Sequence, residues 1–150
     1  MTRSNAREIA VHLIYAAQLS GESADAVLET RLAEENYACL AEENDAYTEA
    51  PGKKQRAYII EAVKGVEAHR EELEGYLAQY AVGWNVSRIS RLARAIMELA
   101  MYEILYRKDV PQNVAVHEAL LLAQKYEEPE TASFVNGVLG SFVRGRGAGE

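Results

Sequence analysis

Apolar positions repeat at helical spacing almost from end to end of the chain. Ala6, Ile9, Ala10, Leu13 and Ala17 recur three or four apart and Ser20-Gly21 punctuates the run, which predicts a first helix from about Ser4 to Leu19. Ser23 is placed to cap a second helix reaching about Leu40, with Ala24, Val27, Leu28 and Leu32 as its stripe. The stretch from Asn44 to Gly52 reads as a loop. From Lys53 to about Tyr80 the positions Ile59, Ile60, Val63, Val66, Leu73, Tyr76, Leu77 and Tyr80 keep the period across Gly65 and Gly75, giving one long helix or two with a kink. Gly83-Trp84-Asn85 breaks the pattern, and Ser87 is a cap for a segment ending near Tyr106. Between Ala95 and Tyr106 only Glu98 and Glu103 interrupt the apolar run, so this segment is expected to be surrounded by partners as the central helix.

Lys108 to Pro111 is a connector, because proline disfavours helix at the residue before it and suits the opening turn of the next. A helix from Pro111 to about Tyr126 follows, and Pro129 opens a last one running to about Val143. The stripe of that last helix is Val135, Val138, Leu139 and Phe142; Phe134 stands about 100° away from Val135 and is expected outside the core. Arg144 to Glu150 is Gly-rich, which predicts a disordered tail (144–150) after one all-helical domain (1–143). The fold class is all-α.

Composition narrows the function. The chain of 150 residues is 49% apolar and 26% charged, a globular balance, with no run approaching the ~18 apolar residues of a membrane span. Thr2, Arg3, Ser4 and Asn5 do not form an export signal, so the expected location is cytoplasmic. Cys39 is the single cysteine, which excludes an internal disulfide. The net charge is −7, but residues 21–50 hold nine acidic groups against Arg31 alone, a local −8 that leaves +1 for the rest of the chain. Charge therefore permits a nucleic-acid partner without indicating one.

Catalytic equipment is thin. His12, His69 and His117 fall on three different predicted helices without metal-ligand spacing, and no Gly-rich phosphate cradle or nucleophile turn is visible. No enzyme, metal or cofactor is expected. Arg88, Arg91 and Arg94 form a row at i, i+3, i+6 that suits phosphate or, equally, ion pairing with the acidic second segment. The segment Thr2 to Arg7 offers hydrogen-bond donors beside the free amides of a helix start. Nine tyrosines supply faces on which unpaired bases can stack. The residues describe a helical binding module.

Three stretches carry a resemblance. Ala6-Arg7-Glu8 with Leu13, Tyr15, Gln18 and Leu19 is the first; the run from Trp84 through Arg94-Ala95-Ile96, Leu99-Ala100, Tyr102-Glu103 and Leu105 is the second. The third is the most specific: Asp109-Val110-Pro111, Val114-Ala115-Val116, Glu118-Ala119, Leu122-Ala123 and Phe134-Val135-Asn136-Gly137-Val138-Leu139. In order and spacing they resemble the NusB transcription antitermination family. The resemblance implies a seven-helix fold of two small packed helical subdomains. It also implies binding of the boxA element of nascent ribosomal RNA together with the ribosomal protein NusE, in a complex with other Nus factors and RNA polymerase. The RNA-binding residues it implies are Arg3, Arg7, Tyr15, Tyr80 and Phe134. Ser4 and Asn5 depart from the family's N-terminal arginine cluster, and Ala93, Glu98 and His117 depart elsewhere. Two other functions compete: a protein-interaction module or homodimer whose RNA surface has weakened, and the targeting domain of an RNA-modifying enzyme.

Overall fold

A computed structural model of the chain describes residues 1–81, 83 and 89–149, and the side chains of all of these except 34, 35 and 146–149. The described residues form eight α-helices and a short 3-10 turn, with no strand among them. The helices are α1 (Arg3–Ser20), α2 (Ala24–Arg31), α3 (Glu34–Leu40), α4 (Lys53–Ala68), α5 (Arg70–Tyr80), α6 (Arg91–Tyr106), α7 (Gln112–Tyr126) and α8 (Pro129–Gly149). They divide into two compact units, Met1–Ala68 and His69–Glu150.

In the first unit α1 packs on α4 and α2. Its core face is Ala6, Ile9, Ala10, Leu13 and Ile14, all buried, as are Ile59, Ala62, Val63 and Val66 of α4. The helix begins earlier than Ser4 because Thr2 serves as the cap, its side chain accepting from the Asn5 amide at 3.1 Å. It ends where Ser20-Gly21 predicted: Gly21 takes φ 79°, a left-handed conformation natural to glycine, and its N–H closes on the Ala17 carbonyl at 2.9 Å. Ser23 caps α2 as expected, accepting from Ala26 at 3.1 Å. The second helix does not continue to Leu40. It breaks at Leu32–Ala33, which lets both Leu32 and Tyr37 bury; five positions apart on one helix they would point about 140° from each other. The 44–52 loop contains the turn Asp45–Tyr47, which buries Ala46 and Tyr47.

The long periodic segment resolves into two helices, with the break at His69 (φ −108°, ψ 18°) rather than at Gly65 or Gly75. Each half keeps the helical period because each serves its own core: α4 that of the first unit, Leu73 and Leu77 of α5 that of the second.

In the second unit α6 touches α5, α7 and α8, the central place its sequence predicted. Glu98 and Glu103 are buried with the apolar residues around them, and neither lacks a partner. Its cap is Ser90, accepting from Ala93 at 3.0 Å; the cap expected at Ser87 lies outside the described residues, as do Trp84, Asn85 and Arg88. Pro111 stands one position before α7, as its cap residue. The last helix runs through Gly149, past the end expected at Val143. It also buries a wider arc than its stripe suggested. Ala132, Phe134, Val135, Val138, Leu139 and Phe142 are all covered, because α8 lies against three helices, α5, α6 and α7, instead of one. Phe134 is therefore a core residue, contrary to expectation, and is 5% exposed.

Candidate nucleic-acid interface

Arg3, Arg7 and Tyr15 belong to the first unit, Tyr80 and Phe134 to the second. Within the first, the arginines converge on a single ring. The Arg3 guanidinium sits 4.4 Å from the centroid of Tyr58 and that of Arg7 lies 6.0 Å from it. Tyr58 is 2% exposed, so the ring is a buried platform whose negative face holds the cations. Arg3 is further fixed by its Nε, which donates to Gln55 Oε1 at 2.7 Å. Arg3 stays half-buried and reachable, whereas Arg7 is only 6% exposed and already partnered. Covered over the same ring, it helps to fix the platform. Tyr15 is half-buried, eight residues on and about 80° around the helix from Arg7.

Tyr80 and Phe134 are brought together. They line one open depression of about 510 Å³ with Glu130, Ser133, Gly137, Val138 and Ser141. The lining from α8 follows helical spacing, one face of the helix forming one wall. Tyr80 closes the opposite wall from the end of α5. Its ring stands edge-on to Phe142 (5.7 Å between centroids, 86°), which Tyr76 also meets edge-on at 5.2 Å. Phe142 is wholly buried, so it anchors both tyrosines. Gly145 completes the arrangement, since a Cβ there would lie 2.5 Å from the Tyr80 hydroxyl oxygen. The ring and the α8 backbone meet at a distance that only glycine allows.

The depression suits a base more than a phosphate. Among the described lining residues the charged one is Glu130, which repels anions but accepts from exocyclic amines, and the Ser133 and Ser141 hydroxyls both donate and accept. Tyr80 offers a partly exposed aromatic face; Phe134, nearly covered, contributes wall rather than a free face.

Sequence reasoning missed Glu130, Ser133 and Ser141, although their spacing from Phe134 on a helix could have found them. It also passed over the basic run Lys53-Lys54-Gln55-Arg56. Lys53, Lys54 and Arg56 are exposed on the first turn of α4, beside the residue that holds Arg3.

Comparison with known proteins gives consistent results. A family model described as the NusB family matches residues 4–144. The transcription antitermination protein NusB of Acetivibrio thermocellus is 39% identical over 144 residues, covering 96% of this chain and 90% of the relative. That of Symbiobacterium thermophilum is 36% identical over 145 residues, covering 97% and 91%. Among solved structures, NusB of T. maritima superposes with a TM-score of 0.79 at 23% identity, covering 96% of this chain and 92% of that one. A chain from a complex of the antitermination factors NusB and NusE with dsRNA gives 0.75 at 21% identity, covering 95% and 96%. The structural likeness carries the fold.

Proposed function

The chain belongs to the NusB family, and from that premise we propose that it is a transcription antitermination factor. It binds the boxA element of nascent ribosomal RNA together with the ribosomal protein NusE and promotes read-through by RNA polymerase. Its role is binding rather than catalysis, exercised in the cytoplasm where transcripts emerge. The observation that carries the proposal is the near full-length match to curated antitermination proteins.

The site geometry supports a division of labour. Arg3, held on Tyr58 beside the free amides that open α1, meets the RNA backbone. Arg7, buried over the same ring, helps to fix that platform. An unpaired base stacks on Tyr80 in the depression walled by Phe134, where Glu130 and the serines read its polar edge. Tyr15 offers a further aromatic contact on α1.

Titration of a labelled boxA RNA at fixed salt, with and without NusE, tests this. Preference for boxA over a scrambled RNA, strengthened by NusE, is expected. Equal affinity for the two sequences would overturn the proposal.

A further inference from the structure

The first turn of α4 places cations where helix electrostatics disfavours them. Lys53, Lys54 and Arg56 stand at the positive end of the helix dipole, and no acidic residue occupies the first turn of either α4 or α1. Folding gains nothing from this arrangement. Ion pairing does not explain it either. The same unit contains the acidic segment 21–50, seven of whose nine carboxylic acids have described side chains, yet among the described residues Lys53, Lys54 and Arg56 form no ion pair, whereas Lys64 further along α4 meets Asp25 at 3.0 Å. All three are exposed. Between them Gln55 holds Arg3 of α1 at 2.7 Å, so a fourth cation is fixed beside the three. Groups that cost stability and, among the described residues, are left unpaired near many acids mark a surface kept for an external anion.

We propose that Lys53, Lys54 and Arg56 on the first turn of α4, together with Arg3 of α1, form a contact surface for the phosphates of single-stranded RNA. The inference rests on the RNA-binding function proposed above and adds residues to it: a second helix that supplies most of the backbone-neutralising charge. These cations touch phosphate and leave base reading to other residues. They therefore set affinity and its salt dependence, not sequence preference.

The test compares the full-length protein with the triple variant Lys53→Gln, Lys54→Gln, Arg56→Gln. Both are titrated with boxA RNA and with a single-stranded oligouridylate across a salt series. Neutralising a single-strand phosphate contributes a slope of roughly 0.7 in log affinity against log salt, so loss of three contacts flattens the slope by about 2. Between about 50 and 200 mM salt the wild-type affinity then falls roughly 20-fold more than that of the variant. The change is expected for both RNAs, with the boxA-to-oligouridylate ratio unaltered. The charge-conserving variant Lys53→Arg, Lys54→Arg, Arg56→Lys should restore the slope. A melting temperature equal to or above wild type is expected for the triple variant, since the substitutions relieve the dipole conflict. An unchanged slope on oligouridylate overturns the inference, as does a variant that loses NusE binding while keeping its RNA slope, which would make the patch a protein-docking surface. Absence of boxA preference in the wild type, with the slope difference intact, sinks the proposed function and leaves the cation surface standing.

Discussion

Adding one methyl group at Gly145 should separate the stability of α8 from its binding function. The Gly145→Ala Cβ would stand 2.5 Å from Tyr80 Oη, 2.8 Å from its Cε1 and 3.0 Å from its Cζ. The obstacle is the far end of a side chain with two rotatable bonds, so the ring swings away and the helix stays. Leaving Phe142 costs an edge-on aromatic contact of about 0.5–1.5 kcal/mol. Against this, alanine is about 1 kcal/mol more favourable than glycine inside a helix. The two terms nearly cancel, and chemical denaturation should place the variant within about 1 kcal/mol of wild type. Binding should not cancel. A base stacked on an aromatic ring is worth about 1–3 kcal/mol, so losing Tyr80 from its wall weakens boxA binding by roughly 5- to 150-fold. Tyr80→Ala should match that loss, and Gly145→Ala in the Tyr80→Ala background should add none while gaining the full helix benefit. A Gly145→Ala protein that is more stable and binds boxA as well as wild type would refute both the placement of the ring and its role.

Two further perturbations follow from burial. Phe134→Ala should cost about 3–5 kcal/mol in denaturant unfolding, because the ring is core; Phe134→Leu keeps most of the volume and should lower boxA affinity while leaving oligouridylate binding unchanged, and equal boxA affinity would remove Phe134 from the site. Tyr37 is pushed up to about 12 by burial and, secondarily, by the Glu49 carboxylate, while its hydroxyl donates to the Glu49 carbonyl at 2.8 Å. The neutral phenol is thus the form the fold prefers: its stabilisation is complete below the ordinary tyrosine range near pH 10 and is lost as pH rises towards about 12. Urea titrations over that window should show a decline that is smaller in Tyr37→Phe than in the wild type.

Most helices, the Ser23 cap, the Gly21 stop and the central place of α6 were legible because each depends on residues a few positions apart. What was not legible depends on neighbours distant in sequence. Phe134 lies off the one-helix stripe, and only the contact of α8 with three helices makes that position core. Arg7 looked like an exposed cation of a helix start until α4 brought Tyr58 beneath it. The break at His69 left no trace in the periodicity, since the stripes on either side belong to different cores. Tyr80 and Phe134 were named through a family resemblance; their shared depression comes from α5 and α8 meeting, 54 positions apart in the chain. The basic run at 53–56 was in plain view, and its meaning came only from finding those charges unmatched among the described residues.

The bond from Arg3 to Gln55 joins two helix starts separated by 52 positions. Helix ends are where structure opens first, each ordinarily on its own. Here a fray at the start of α4 would remove the Gln55 acceptor and leave Arg3 held by Tyr58 alone, and a fray of α1 would free Gln55. The two openings are thus coupled, and loosening of either helix start weakens the cationic edge on both. Warming should erode its grip on RNA ahead of global melting, with the two helix starts loosening together.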